Sequence, residues 1–241
     1  AQLTQSLIDQ RKRQLEAAQP KTAADLEQFK KQFGAAYQFS LMAELPKNEE
    51  IIVANPEVRK INTSPATTKL TLSRRGEGDC VELSLQHAET LLIGKPQWEK
   101  VVLVLASSEV DEIKRRDALM MALAEAGYVA ATISIQPQAQ NSEQAKKYRY
   151  FTTYNRSDAA NQIQDILTAI AFLKGKAANL QVVALGKAGG LALLARGLAP
   201  KLDRMVIDAA ALDSANDQEF LARLPIPGIR RAGDFATAIT L

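Results

Sequence analysis

Four apolar segments in the second half of the chain alternate with segments of helical periodicity. The apolar segments read VVLVLA, YVAATISI, LQVVAL and DRMVID, and the helical segments between them begin near residues 110, 157 and 187. A continuous apolar run of this length is typical of a strand buried on both faces, and a helix between consecutive strands favours parallel pairing. The alternation predicts an α/β fold with a mostly parallel sheet, helices on both faces and right-handed crossovers.

Residues 50–85, which precede this alternation, follow the period of two expected of strands with one buried face. TKLTLSR and CVELSL are joined by the glycine-containing turn RRGEGD, which predicts an early antiparallel hairpin. The same alternation predicts that Cys80, the only cysteine, is a small buried residue. One cysteine can form neither an intrachain disulfide nor a thiolate metal cage.

Two amphipathic helices are predicted before the strands. The first covers residues 3–18 and ends near Pro20, and the second begins after Thr22, a capping residue with Asp25 three positions on. We therefore divide the chain into an N-terminal helical extension, residues 1–45, and an α/β domain, residues 46–241. The extension is expected to pack onto, or link to, something else.

Composition argues against several classes of function. The net charge is +3 with acidic and basic residues interspersed, so nucleic acid is not an expected partner, and no apolar run is long enough for a membrane span. One histidine, one cysteine and carboxylates without calcium-loop spacing predict neither a metal site nor another cofactor. The start at Ala1, without Met, is typical of a mature secreted or periplasmic chain, or of a trimmed one.

A glycine-rich corner joins the third apolar strand to the next helix. It reads Gly186-Lys187-Ala188-Gly189-Gly190. Such a turn aims free N–H groups at one point, where an anion or oxyanion is stabilised. On the pattern Gly-x-Ser-x-Gly the nucleophile position is Ala188, whose methyl group cannot attack a carbonyl. Either the glycines serve close packing alone, or an anion pocket survives; a dinucleotide site is not expected, because Gly-x-Gly-x-x-Gly is absent.

These segments, together with YFTTYNRSD at residues 150–158, resemble successive parts of α/β-hydrolases of the acetyl xylan esterase-like group. The resemblance covers residues 41–241, and it is closer to the second, serine-lacking domain of tandem-domain secreted bacterial members. It implies an α/β-hydrolase fold with a degenerate corner. It also implies a pseudoenzyme that supports or pairs with an active esterase domain, or that binds a ligand such as a carbohydrate ester. A homo-oligomer is the other expected assembly.

The resemblance also implies roles for single residues. Ala188 matches the nucleophile position and Asp208 lies near one position of the acid, whereas the expected C-terminal histidine has no match. The loop after the first core strand, which includes Ala106, matches one that offers an oxyanion N–H. The strands that follow DRMVID in the family also have no match, which predicts a sheet without its last core strands. The candidate binding residues lie in the loop after the first core strand, at the corner and in the aromatic loop KKYRYFTTYNR, residues 146–156: Ser107, Ser108, Gly186, Lys187, Gly189 and Tyr154.

A second hypothesis is an active carboxylic-ester hydrolase. It needs a replacement nucleophile such as Ser107 or Ser108, or an Ala188 that was introduced to disable a serine. The only histidine, His87, is expected at the surface or in a turn, and would have to reach Ser107 in space to act as base. The aromatic stretch KKYRYFTTYNR either anchors its loop or contacts carbohydrate. The cluster EIKRRD, residues 112–117, is expected to be a solvated helix face.

Overall fold

The fold comes from a computed structural model, which describes residues 2–59, 65–87, 97–135, 147–148, 150–199, 202–210 and 212–241. Its described strands form one seven-stranded sheet in the order β1-β2-β3-β5-β4-β6-β7. The strands are β1 Ile51–Arg59, β2 Ala66–Arg74, β3 Val81–His87, β4 Trp98–Leu105, β5 Val129–Ile133, β6 Ala177–Ala184 and β7 Arg204–Ile207. The α-helices are α1 Gln2–Ala17, α2 Ala23–Phe29, α3 Ala35–Leu41, α4 Val110–Glu125, α5 Phe151–Tyr154, α6 Asp158–Lys174, α7 Lys187–Arg196, α8 Asp217–Arg223 and α9 Asp234–Thr240. Shorter turns of π-helix and 3₁₀-helix cover Lys30–Gly34 and Asn48–Glu50.

The two predicted N-terminal helices begin where the sequence predicts; their buried residues form a separate small cluster, and it is α3 that packs into the sheet's own core. Thr22 and Asp25 form a capping box, in which each side chain accepts a hydrogen bond from the other residue's backbone N–H. Tyr37 of α3 is fully buried in the main core, and its hydroxyl donates a 2.7 Å hydrogen bond to the carbonyl of Leu194 in α7. The division at residue 45 stays a prediction, and the core packing of α3 crosses it.

The predicted antiparallel hairpin is confirmed. β2 pairs with β3 in the register Leu70 to Leu83 and Leu72 to Val81. Two expectations about its ends are wrong. Cys80 is exposed, because β3 begins one residue after it. His87 is buried, because β3 continues to that residue and alternation places it on the inner face with Val81 and Leu83.

The parallel half of the sheet has helices on both faces, as predicted. β4 pairs in parallel with β5 and β6, and β6 with β7. Val102 and Val104 of β4 face a cluster that contains Met120 of α4. Leu103 lies in the opposite cluster with residues of α6 and α7, among them Ile166 and Leu191. Because β4, β6 and β7 run parallel, the loops that follow them lie at the same end of the sheet, the end at which these strands finish, which we call the carboxyl edge.

β7 ends the sheet, so among the described residues no strand pairs with its outer side. Val206 of β7 is 54% exposed, in contrast to the buried residues of β4. The described helices include none that is both long enough and apolar enough to cross a membrane.

Candidate functional site

The glycine corner is a sharp strand-to-helix turn whose tip is Gly186. β6 ends at Ala184, and the N–H of Leu185 still donates to Leu105 of β4 at 2.9 Å. Gly186 then takes φ +56° and ψ −127°, and α7 begins at Lys187. Residues with a side chain rarely adopt this backbone conformation, so glycine is the residue best suited to the tip.

Ala188 is not at the tip of the turn; it lies two residues later, in the helix, and is buried. It belongs to the first turn of α7, its N–H donates to the carbonyl of Leu185 at 3.2 Å, and its methyl group is fully buried in the main core. This differs from the sequence expectation because the strand hydrogen bonding ends at Leu185 and leaves Gly186 to make the turn. A side chain at 188 therefore points into the core and not toward the carboxyl edge.

The next two glycines allow close packing. A Cβ on Gly189 would overlap the carbonyl oxygen of Asp208, and one on Gly190 would lie 3.2 Å from a methyl group of Leu224. Gly189 thus lets α7 approach the end of β7, which is the packing role foreseen for the corner.

The N–H groups at the corner are occupied by a carboxylate of the chain itself. Glu112 of α4 is 8% exposed. Its Oε2 accepts a 2.9 Å hydrogen bond from the N–H of Ser107, and its Oε1 accepts a 3.0 Å bond from the N–H of Lys187. A Cβ on Gly186 would overlap the same carboxylate. We call the pair of N–H groups of Ser107 and Lys187 the anion hole, and Glu112 fills it.

Two further contacts tie α4 to the carboxyl edge. Glu109, which precedes α4, pairs with the Lys187 ammonium at 2.5 Å, and Arg115 pairs with Asp208 at 3.1 Å. Glu109, Glu112 and Arg115 recur at three-residue spacing, so they lie on one side of the helix. Hydrogen bonds from the Ala210 N–H and then from Arg115 lower the pKa of the Asp208 carboxyl below its ordinary value. The candidate acid is thus a carboxylate held by an arginine.

Neither Ser107 nor Ser108 forms a catalytic pair with His87. The Ser107 hydroxyl accepts a 3.3 Å hydrogen bond from the Glu109 N–H, and Ser108 is exposed. His87 is the last residue of β3, which runs antiparallel to β5. The preceding residue, Gln86, pairs with Ala130 near the start of β5, so His87 lies where the parallel strands begin. That position lies about six strand residues, roughly 20 Å, from Gly186 along the sheet. The structure therefore keeps His87 and Ser107 at opposite edges.

A small pocket of about 180 Å³ opens beside the corner. Arg223 in its wall donates to the carbonyl of Ala210 at 3.2 Å and pairs with Glu219 at 3.1 Å. Pockets for drug-sized ligands usually measure about 300–1,000 Å³, so this one has room for a small group only. Its lining residues are Gly186, Lys187, Gly190, Ala209, Leu212, Ala222, Arg223 and Leu224.

The aromatic loop combines one buried ring with exposed tyrosines. Phe151 is buried, whereas Tyr148 and Tyr154 are 55% and 81% exposed. α5 lies just before α6, whose N-terminus is capped by the Ser157 side chain accepting from the Ala160 N–H at 3.2 Å. α6 runs back between two parallel strands, so it begins at the carboxyl edge. Phe151 anchors the loop, and Tyr154 is available for contacts.

Sequence reasoning missed Glu112, the residue that fills the site. EIKRRD is not a fully solvated face, because its first residue is buried. The one feature of the sequence that could have indicated Glu112 is its position in the first turn of the helix after the first core strand. Acidic residues are common at that position because the helix dipole favours them, so the feature does not by itself indicate a buried carboxylate. Within the described ranges, no group of three or more His, Cys, Asp or Glu residues could hold a metal ion.

Comparison with solved structures supports the fold. The matches include a CE15 esterase from the marine bacterial metagenome at 10% identity, with a TM-score of 0.55 over 86% of this chain and 66% of that one. A glucuronoyl esterase from Solibacter usitatus matches at 14% identity, with a TM-score of 0.52 over 80% and 64%. Acetyl Xylan Esterase 1 from Thermoanaerobacterium sp. JW/SL YS485 matches at 12% identity and a TM-score of 0.45 over 86% and 72%.

The first two likenesses, with TM-scores above 0.5, show that the chain has an α/β-hydrolase fold similar to that of these esterases. No protein-family profile matches the sequence, and no curated protein matches it. This chain spans 60% and 49% of the length of two further matched structures. At 10–14% identity these matches show the fold alone, so the chemistry has to be inferred from the residues of the site.

Proposed function

We propose that this chain is a non-catalytic α/β-hydrolase-like domain whose former reaction centre is filled by its own glutamate. The observation that carries the proposal is the position of Glu112, which accepts hydrogen bonds from both N–H groups of the anion hole and overlaps any side chain at Gly186. Each element of ester hydrolysis can be compared with what stands in its place.

The first element is the nucleophile. In α/β-hydrolases it occupies the strained tip of a strand-to-helix turn, and the next residue's N–H joins the oxyanion hole. The strained residue here is Gly186, so we assign the nucleophile position to Gly186 instead of Ala188. Neither residue carries an atom that can attack an ester.

The second element is the oxyanion hole. It requires free N–H donors about 3 Å from the oxygen that develops charge. Ser107 and Lys187 offer such donors, but Glu112 accepts from both. An ester carbonyl would have to displace a buried carboxylate. The neutral carbonyl would bind the two N–H groups less strongly, because hydrogen bonds to a charged acceptor are stronger.

The third element is the acid–base pair. Asp208, the candidate acid, is paired with Arg115, and His87 lies at the other edge of the sheet. No other histidine exists in the sequence. The general base that activates a serine in a triad thus has no counterpart at the corner.

A support or pairing role fits such a domain better than ligand binding in the old cleft. The adjoining pocket of about 180 Å³ is smaller than the pockets of about 300–1,000 Å³ that usually hold drug-sized ligands. The outer side of β7, with Val206 half-exposed, offers an edge at which another esterase domain or a second copy could pair. A carbohydrate ester, if bound, would contact the exposed Tyr154 instead. Secretion or a periplasmic location stays a prediction from sequence.

The test combines turnover with labelling of the purified chain. We expect no hydrolysis of short-chain chromogenic esters above the buffer rate, and no serine labelled by a fluorophosphonate. Ser107→Ala and Ser108→Ala are the matched controls. Turnover and labelling that disappear in one of these variants would establish the alternative, an active carboxylic-ester hydrolase with a replacement serine.

A further inference from the structure

One carboxylate joins two chain segments that are far apart in sequence. The Ser107 N–H precedes α4, the Lys187 N–H opens α7, and 80 residues separate them along the chain. Glu112 receives one hydrogen bond from each, at 2.9 and 3.0 Å, with a different oxygen for each donor. Two donors arranged for the two oxygens of one carboxylate form a site with the shape of a carboxylate.

We propose that the anion hole is a latent binding site for small carboxylates, in which the Glu112 side chain is the resident occupant. The inference rests on the proposed function, since it takes Glu112 as a substitute for an external group. It goes further by stating that the site keeps its own affinity for a carboxylate when that side chain is removed.

The position of the occupant supports this. Its carboxylate overlaps the space in front of Gly186, at the tip of the turn, and Gly186 and Lys187 also line the 180 Å³ pocket. Removing the side chain would therefore create a vacancy next to an existing opening. Small ligands could reach it without a change of backbone.

The N–H groups of Ser107 and Lys187 both depend on the Glu112 carboxylate as acceptor. A donor held away from water without an acceptor is destabilising, and Glu112→Ala would remove the acceptor of both donors at once. A small anion that restored the two hydrogen bonds would recover much of that loss. The N-terminus of α7, a ten-residue helix, adds a favourable potential for negative charge.

Acetate fits the vacancy atom for atom. Glu112→Ala deletes the γ-methylene and the carboxylate while it keeps the β-carbon, and acetate supplies one carbon and one carboxylate of the same size. Formate lacks the methyl group, and butyrate carries two extra carbons that would have to extend into the pocket. Acetate should therefore bind Glu112→Ala more tightly than either of them.

The experiment is an acetate titration of Glu112→Ala at constant ionic strength, with chloride as the reference anion. We expect saturable shifts of the Ser107 and Lys187 amide resonances, and a rise in melting temperature with acetate over chloride. Wild type and Glu109→Ala should show neither, since Glu112 still fills the hole in both. A folded Glu112→Ala that responds equally to acetate and chloride, or a wild type that gives the same shifts, would overturn the proposal.

A second variant covers the case in which Glu112→Ala does not fold. Glu112→Gln keeps the size of the side chain but offers one acceptor oxygen, so one of the two amides should lose protection from hydrogen exchange. Full protection of both amides would show that carboxylate geometry does not define the site. Ester hydrolysis by the wild type would refute the non-catalytic proposal separately, whatever the acetate result.

Discussion

The Glu112 carboxylate lies in the space that any side chain at Gly186 would have to enter. Gly186 forms the turn between β6 and α7, whereas Glu112 lies in the first turn of α4 and also accepts a hydrogen bond from the Lys187 N–H, 75 positions along the chain. A strained backbone position and an internal carboxylate thus depend on each other. This dependence can be measured as a coupling between two substitutions.

Gly186→Ala should destabilise the protein in two ways, by backbone strain of roughly 1–2 kcal/mol and by a collision worth roughly 1–3 kcal/mol more. Gly127→Ala is the matched control, because Gly127 also has a positive φ but nothing within 4 Å of its added Cβ. In a Glu112→Ala background, Gly186→Ala should cost no more than the control. Urea denaturation of wild type, the two single variants, the double variant and the Gly127→Ala control measures this, and an equal cost of Gly186→Ala in both backgrounds would contradict the overlap.

Ala188→Ser should yield no esterase activity and should lower the free energy of unfolding by about 1–3 kcal/mol, because a hydroxyl would be buried in the core. Ala222→Ser, at an exposed position of α8 that lines the pocket, should change stability little. Chromogenic ester assays and thermal unfolding check both results. Ester hydrolysis that appears with Ala188→Ser would return the nucleophile position to residue 188.

The glycine corner shows which features of the fold can be predicted from the sequence and which cannot. The hairpin follows from the RRGEGD turn, the start of α2 from Thr22 and Asp25, and the parallel strands from their apolar runs, since these signals are local. Which glycine makes the turn is not local, because it depends on where hydrogen bonding between β6 and β4 ends. The glycine spacing alone favours Ala188, two residues beyond the observed tip.

Glu112 could not be predicted because its partners lie in another part of the fold. Its hydrogen bond to Lys187 spans 75 positions, and the surrounding EIKRRD has the charge of an exposed helix. The burial of His87 was missed for a simpler reason: the strand continues two residues beyond its apolar pattern. Both errors concern the extent of an element or a contact between distant elements.

Stability should fall as pH rises from about 4 to about 7, through the Asp165 carboxyl of α6. Burial raises its pKa from 3.8 to about 7, and nearby Asp79 adds to the rise. The folded state keeps this proton to a higher pH than the unfolded state, so its contribution weakens across that window and is level above it. Asp165→Asn should remove this component and stabilise the protein at pH 8 by roughly 1–3 kcal/mol.

Unfolding free energies at pH 5 and pH 8 measure this contribution. Asp111→Asn is the control, since that carboxylate is 95% exposed, and it should keep the wild-type difference between the two pH values. Arg74 and Arg156 lower the pKa of Asp165, so an unchanged pH profile in Asp165→Asn would mean that they hold the carboxylate ionised in the folded state.

The two aromatic residues at the ends of α5 should behave oppositely. Phe151→Ala should destabilise the protein by roughly 3 kcal/mol because its ring is buried, whereas Tyr154→Ala should cost less than about 0.5 kcal/mol because its ring is 81% exposed. Denaturant unfolding separates the two. A large cost for Tyr154→Ala would mean that Tyr154 anchors the loop and is not available for carbohydrate.

Hydrogen exchange at the Ser107 and Lys187 amides, compared between wild type and Glu112→Ala, tests the filled anion hole most directly. In wild type both amides should exchange as slowly as those of the buried strands, because each donates to the carboxylate. In Glu112→Ala without added carboxylate both should exchange much faster, while amides of β4 and β6 stay protected. Equal protection of both amides in the two proteins would contradict the account.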